Sequence, residues 1–258
     1  MDILLVQAET VWQSSEANYR RIEALVGKSG EADLIVLPEM FPTGFVTGRS
    51  GVIGAADKDG TRILEWMRAF ARETGAAVVG SAAVEADGWF FNRCYFVRPD
   101  GSFDSYDKRH LFGIGGEDEH YTAGHDRTVV EWGGFRILLL VCYDLRFPVF
   151  ARNRGDYDMI LCVANWPQSR RRVWDTLLRA RAIENVCYVA GVNRVGSDPV
   201  CTYNGGTAFI DYRGESVGTV EDGSEGVLRV SAELDGLAAF RRKYPMLDDA
   251  DAFELRFE

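Results

Sequence analysis

The chain has only three histidines, His110, His120 and His125, all within or beside one glycine-rich stretch, so imidazole chemistry has few places to occur. Its five cysteines (Cys94, Cys142, Cys162, Cys187 and Cys201) are odd in number, widely spaced and without a Cys-X-X-Cys pair. That pattern argues against a disulfide framework and a structural zinc site, and leaves free thiols in a reducing compartment. No apolar run approaches membrane-spanning length, and the opening Met1-Asp2-Ile3-Leu4-Leu5-Val6 carries no basic leader, so a cytoplasmic location is expected. Positive charge is in deficit. Twenty-nine basic against thirty-nine acidic side chains leave a net charge of −10, which argues against nucleic acid or an anionic membrane as partner. No low-complexity linker divides the 258 residues, so residues 1–258 are expected to form a single domain with a substantial core.

What is present is a series of short apolar runs ending in polar groups. Ile137-Leu138-Leu139-Leu140-Val141 suits a strand covered on both faces; Gly133-Gly134 precede it and Pro148 follows. Cys142 therefore falls at a strand's carboxyl end, the end that faces the ligand crevice in α/β architectures. Asp33-Leu34-Ile35-Val36-Leu37 reads as a second buried strand, closed by Pro38 and Glu39. Met159 to Ala164 reads as a third, and its resemblance to the Glu39 segment suggests two related halves. Helical spacing marks a helix starting at Ser14 or Ser15 with Tyr19, Ile22, Leu25 and Val26 on one side, then Thr61 to Thr74 and Arg172 to Asn185, with a short helix near Val149 to Arg154. Further strands are predicted at Ile3–Gln7, Ala76–Ala83, Trp89–Arg98, Val186–Val192, Gly206–Asp211, Glu215–Val220 and Val227–Val230. Residues 111–125 lack a usable period and read as a functional loop. Helices alternating with strands, plus hairpins, predict an α/β fold of two face-to-face sheets with helices outside, an α-β-β-α sandwich.

A cysteine that cleaves an amide needs a base for its proton and a positive group for the oxyanion. Glu39, at the end of a buried strand, is the stronger base candidate, and a cysteine–histidine pair stays open. Leu37-Pro38-Glu39, Tyr106-Asp107-Lys108-Arg109-His110-Leu111-Phe112 and Val141-Cys142-Tyr143-Asp144-Leu145-Arg146-Phe147-Pro148 together resemble the nitrilase superfamily of carbon–nitrogen hydrolases. The resemblance covers nearly the whole chain, including Leu178-Arg179-Ala180-Arg181-Ala182-Ile183-Glu184-Asn185.

That resemblance implies the four-layer sandwich and a Glu-Lys-Cys triad: Glu39 as general base, Lys108 as oxyanion stabiliser and Cys142 as nucleophile. It also implies a second glutamate in the loop before the cysteine strand, for which Glu119 is chosen and Glu117 competes. No metal and no cofactor are implied. Glu-Met-Phe-Pro-Thr-Gly-Phe (39–45) and Cys-Tyr-Asp-Leu-Arg-Phe-Pro most resemble the ω-amidase branch. Members of that branch cleave the ω-amides of 2-oxo dicarboxylates such as 2-oxoglutaramate and 2-oxosuccinamate through a cysteinyl thioester. Tyr143, Phe45 and Trp166 are candidate pocket walls, the Tyr143 peptide N–H a second oxyanion donor, and Arg170 a holder of the substrate carboxylate. Competing readings are an N-carbamoyl amino-acid or aliphatic amidase, a nitrilase with the same triad, or a silent scaffold that keeps the fold. A homodimer or higher homo-oligomer is expected, built on helix 172–185 and on residues 244–258, with Phe253, Leu255 and Phe257 as an added edge strand.

Overall fold

Successive side chains of the first strand, β1 (Asp2–Gln7), serve two different cores. Ile3 and Leu5 join a cluster shared with the second half of the chain, whereas Leu4 and Val6 join one shared with helices α1 (Ser15–Val26) and α3 (Thr61–Thr74). A strand alternates its faces with a period of two, so a run that is apolar throughout needs cover on both sides. The computed structural model describes residues 1–256 and shows how that cover is arranged.

Between α1 and α3 lie β2 (Leu34–Val36), the short helix α2 (Arg49–Ala55) and β3 (Asp57–Lys58). After α3 come β4 (Ala77–Ala86), β5 (Trp89–Val97) and β6 (Phe103–Asp107). The second half contributes β7 (Val129–Trp132), β8 (Phe135–Val141), α4 (Pro148–Ala151), β9 (Met159–Ala164), α5 (Arg171–Asn185) and β10 (Tyr188–Asn193). A ribbon of β11 (Val195–Ser197) and β12 (Thr202–Asn204) leads to β13 (Ala208–Ile210), β14 (Ser216–Thr219), β15 (Gly226–Ser231) and α6 (Leu234–Lys243).

One sheet runs β15-β1-β2-β4-β5-β6, with β3 against β4, and the other runs β7-β8-β9-β10-β13-β14. The two correspond position by position. Each has three parallel strands at its centre (β1, β2, β4 and β8, β9, β10), one antiparallel strand before them and two after. The inner faces meet in the larger core, where Ile3, Leu5, Val36 and Val79 share a cluster with Leu139 and Leu161. Helix α5 packs on the second sheet through Trp174, Leu178 and Ala182. It sits so close to β10 that a Cβ at Gly191 would fall 2.6 Å from a Leu178 methyl, which is why glycine stands there. The expected α/β sandwich is the observed architecture.

Several elements differ from the sequence reading. Helices α2 and α6, strand β7 and the β11–β12 ribbon have no counterpart in it, and loop 111–125 contains two turns of 3₁₀ helix. The expected edge strand does not form at Phe253 and Leu255. Residues 251–256 pair with no strand; Leu255 instead packs on the core and Phe253 lies under Arg154. The alternating apolar side chains are spent on the chain's own surface. Phe257, the third residue of that expectation, lies outside the described residues. Among the described residues no helix is long and apolar enough to cross a membrane.

Candidate active site

The buried run of β8 ends at Cys142, which opens a tight 3₁₀ turn, Cys142–Arg146, with φ of 47°. A non-glycine residue in that left-handed region costs roughly 1–2 kcal/mol, so something must hold it. Asp144, fully buried, does so. Its Oδ2 accepts from the Val141 peptide N–H at 2.9 Å and from the Tyr106 hydroxyl at 2.8 Å. Its Oδ1 accepts from the His110 peptide N–H at 2.9 Å and lies 2.8 Å from His110 Nδ1. A carboxylate only accepts, so the ring proton belongs on Nδ1. The imidazole stacks on Phe147 at 3.7 Å. His110 thus braces the turn, and it is Glu39, not His110, that lines the thiol's cavity, where Asp198 supplies a second carboxylate.

Glu39 follows β2 at the matching end of the other sheet and is 1% exposed. Its Oε1 accepts from Asn92 Nδ2 at 2.8 Å and from Lys108 Nζ at 3.0 Å, and its Oε2 accepts from the Asn165 peptide N–H at 2.7 Å. Asn165 Nδ2 also donates to the Glu39 carbonyl. Asn165 follows β9 as Glu39 follows β2, so the two halves bind each other across their equivalent strand ends.

Lys108 follows β6 and is as buried as Glu39. Besides Glu39 it reaches both oxygens of Glu117, at 3.1 and 2.8 Å. Here the structure corrects the choice of Glu119. That side chain is exposed, whereas Gly116, at φ of 72°, turns the chain so that Glu117 points inward. The Phe112 N–H donates to Glu117 Oε2 at 2.7 Å and holds it there. Asn92, on β5, donates to Glu117 as well as to Glu39.

Burial opposes the charge on Lys108, yet Glu117, Glu39 and the adjacent thiol outweigh it and raise its pKa well above the ordinary lysine value. The ammonium is permanent at any working pH. Burial likewise raises the Cys142 thiol, Glu39 adds to the effect and Lys108 opposes it, with a net pKa well above that of a free cysteine. The Cys142 sulfur therefore rests as a neutral thiol, which would need a base before it could act as a nucleophile. Burial also raises Glu117, against the pull of Lys108.

These groups meet at a cavity of about 250 Å³ whose wall includes Glu39, Lys108 and Cys142. Phe45, Tyr143, Trp166 and Arg170, the candidates for substrate contact, line the same cavity. Of the three consecutive arginines only Arg170 faces it, because Arg171 pairs with Asp175 and Asp222 and Arg172 is exposed. The sequence reading assigned no role to Arg146, whose guanidinium lies over Trp166 at 5.2 Å and Tyr143 at 5.9 Å. Arg170 lies over Phe112 at 5.1 Å. Among the described residues neither arginine has a carboxylate partner. Asn92, Asn165 and Asp144 were missed. The repeat of 33–39 in 158–165 pointed to Asn165, and an asparagine on the inward parity of β5, in step with Cys94 and Phe96, was the signal for Asn92.

The family profile described as carbon–nitrogen hydrolase matches residues 3–242. A protein named omega-amidase YafV from Yersinia enterocolitica is 44% identical over 258 residues, covering 99% of this chain and 98% of that protein. A 2-oxoglutaramate amidase of Bacillus subtilis is 32% identical, with 96% of each covered. Among solved structures, XC1258 of Xanthomonas campestris, described as a CN-hydrolase superfamily protein with an arsenic adduct in its active site, superposes with a TM-score of 0.94. It is 42% identical, and 99% of both chains is covered.

Proposed function

The chain belongs to the carbon–nitrogen hydrolase family, and from that premise we propose that it is an ω-amidase, hydrolysing the terminal amide of short 2-oxo dicarboxylate monoamides to the acid and ammonia. The observation that carries the substrate class is the pair Arg146 and Arg170. Two guanidiniums without an ion-pair partner among the described residues, each stacked on an aromatic ring, share a small cavity with the thiol. A ligand with a carboxylate a few atoms from its reacting carbonyl satisfies both ends of such a cavity. The relatives named for ω-amide and 2-oxoglutaramate hydrolysis support the same substrate class.

In this mechanism Glu39 takes the Cys142 proton as sulfur attacks the amide carbon. Lys108 and the Tyr143 peptide N–H hold the oxyanion. Collapse expels ammonia, which leaves with the proton that Glu39 had taken, and an acyl thioester remains on Cys142. Water, deprotonated by Glu39, then releases the acid and restores the thiol. Glu117 keeps Lys108 in place without touching the substrate. Neither a metal nor a cofactor is needed in this scheme. The reading extends to a homo-oligomer in a reducing cytoplasm, supported by exposed Val149 on α4, exposed Ile183 on α5 and the unpaired cysteines.

Ammonia release from 2-oxoglutaramate, N-carbamoyl-β-alanine, butyramide and a simple nitrile tests the substrate. The expected kcat/KM for 2-oxoglutaramate exceeds that for butyramide by roughly 100-fold, the worth of one charged bidentate contact. Preference for the carbamoyl compound or the nitrile would replace this reading with the corresponding hydrolase of the same triad, and no turnover of any of them would favour a scaffold.

A further inference from the structure

Asn92 sits in the middle of β5 with no exposed surface. Its Nδ2 donates to Glu39 Oε1 at 2.8 Å and to Glu117 Oε1 at 3.0 Å, and its carbonyl accepts the Lys108 peptide N–H at 2.9 Å. One residue thus touches all three charged members of the site. Its own Oδ1 is buried and has no hydrogen-bond partner. Flipping the amide would turn that oxygen toward two carboxylates, so the orientation is dictated by charge and the oxygen is left unsatisfied as its consequence. An orphaned acceptor is a standing cost that an apolar residue on this buried parity would avoid.

The hydrogen-bond inventory shows what the amide provides. Glu39 Oε1 has two donors, Asn92 and Lys108, whereas Oε2 has one, the Asn165 N–H. The ammonium of Lys108 has three hydrogens. One serves Glu39 and Glu117 takes another between its two oxygens, so the third is left for the cavity. The two buried carboxylates share a single cation, and without the neutral donor of Asn92, Lys108 would have to supply the missing hydrogen bond. We propose that Asn92 is a positioning residue of the hydrolysis: its amide, clamped between the two glutamates, leaves Glu39 Oε2 as the oxygen that takes the thiol proton and keeps one Lys108 N–H for the oxyanion. This rests on the amidase reading above, and the alkylation arm of the test below does not depend on the substrate.

The groups facing this amide are Glu39, Glu117 and Lys108, with Cys142 across the cavity and the Tyr121 hydroxyl on the Glu117 side. Asn92→Asp keeps nearly the native volume and Asn92→Leu keeps the branched shape with bulkier methyl groups, and both remove the donor. Each variant is assayed for kcat and KM on 2-oxoglutaramate and for the rate at which iodoacetamide alkylates Cys142 as a function of pH, with circular dichroism as the check on folding. The expected result is a fall in kcat and in alkylation at pH 7 of roughly 30-fold with KM within about threefold, the split that separates positioning of the reacting groups from a loss of substrate binding. Asn92→Leu needs no polar partner and carries the test if the third buried carboxylate of Asn92→Asp prevents folding. Folded variants with kcat and alkylation within threefold of wild type would overturn the proposal, and so would a raised KM with kcat unchanged. An inactive wild type that still shows the alkylation difference would reject the substrate while sustaining the role of Asn92.

Discussion

At Cys142 two costs coincide, a left-handed backbone and a buried thiol, and both are met by neighbours that were only partly visible in the sequence. Asp144 accepts four hydrogen bonds that hold the turn, and an asparagine offers only one accepting oxygen. Asp144→Asn is expected to cost about 3 kcal/mol, a fall of roughly 6–12 °C in Tm, and to lower kcat in protein that is still folded at 25 °C. Unchanged kcat would show that the turn stands without its brace. The thiol's raised pKa gives a second expectation, with its sign. Because the resting sulfur is protonated at pH 7, its reactivity there depends on Glu39. Alkylation of the Glu39→Gln variant, in which burial still holds the thiol up, should therefore be slow at neutral pH and climb steadily past pH 9, and a plateau at neutral pH would contradict burial as the main cause of the raised thiol. Glu39, Lys108 and Cys142 were legible because each ends a recognisable apolar or hairpin segment within a motif. Glu117 was misjudged in favour of Glu119 because the choice between two carboxylates two residues apart depends on the left-handed Gly116, a backbone detail with no periodic signature.

Elements position these side chains by their ends, and the ends are held by contacts between layers. Asp158, just before β9, accepts from Arg136 on β8 and from Arg241 on α6, tying three elements at the edge opposite the thiol. Burial works against its charge, but those bonds win and hold its pKa below the ordinary aspartate value. A depressed carboxylate stabilises the fold above its unfolded pKa, near 3.9, and loses that contribution as pH falls. Asp158→Asn is thus expected to lower stability by about 1–3 kcal/mol at pH 7, with the two melting curves converging below about pH 3. A difference that persists undiminished at pH 3 would assign the effect to packing. At the α5–β10 contact, Gly191→Ala puts a methyl within 2.6–2.8 Å of Leu178 and Trp174, and a loss of roughly 1–3 kcal/mol is expected from overpacking, read as a lowered urea midpoint. Long apolar strands and the helices Thr61–Thr74 and 172–185 were readable from period alone. Helix α2, with two glycines and little apolar surface, and the three-residue strands β11 and β12 carry too short a pattern to show one; their pairing is decided by tertiary contacts.

At the scale of the whole molecule the account is one of two equivalent sheets whose matching strand ends meet. The segment 33–39 and its echo at 158–165 foretold that symmetry, and the Glu39–Asn165 contact is where it becomes chemistry. Oligomer formation was not legible in the same way, since an outer helix face reads alike whether water or a second copy covers it. Sedimentation velocity is expected to give a species of at least two chains, and a monomer at micromolar concentration would remove that part of the proposal. The central claim, that an acid, an amine and a sulfur converge to form and break an acyl bond, is tested most directly by intact-mass analysis of enzyme quenched during turnover of 2-oxoglutaramate. The account predicts a thioester adduct of the 2-oxo acyl group on Cys142 that is lost on treatment with hydroxylamine and is absent from Cys142→Ala, which should release no ammonia. Turnover by Cys142→Ala at a rate near wild type would contradict it.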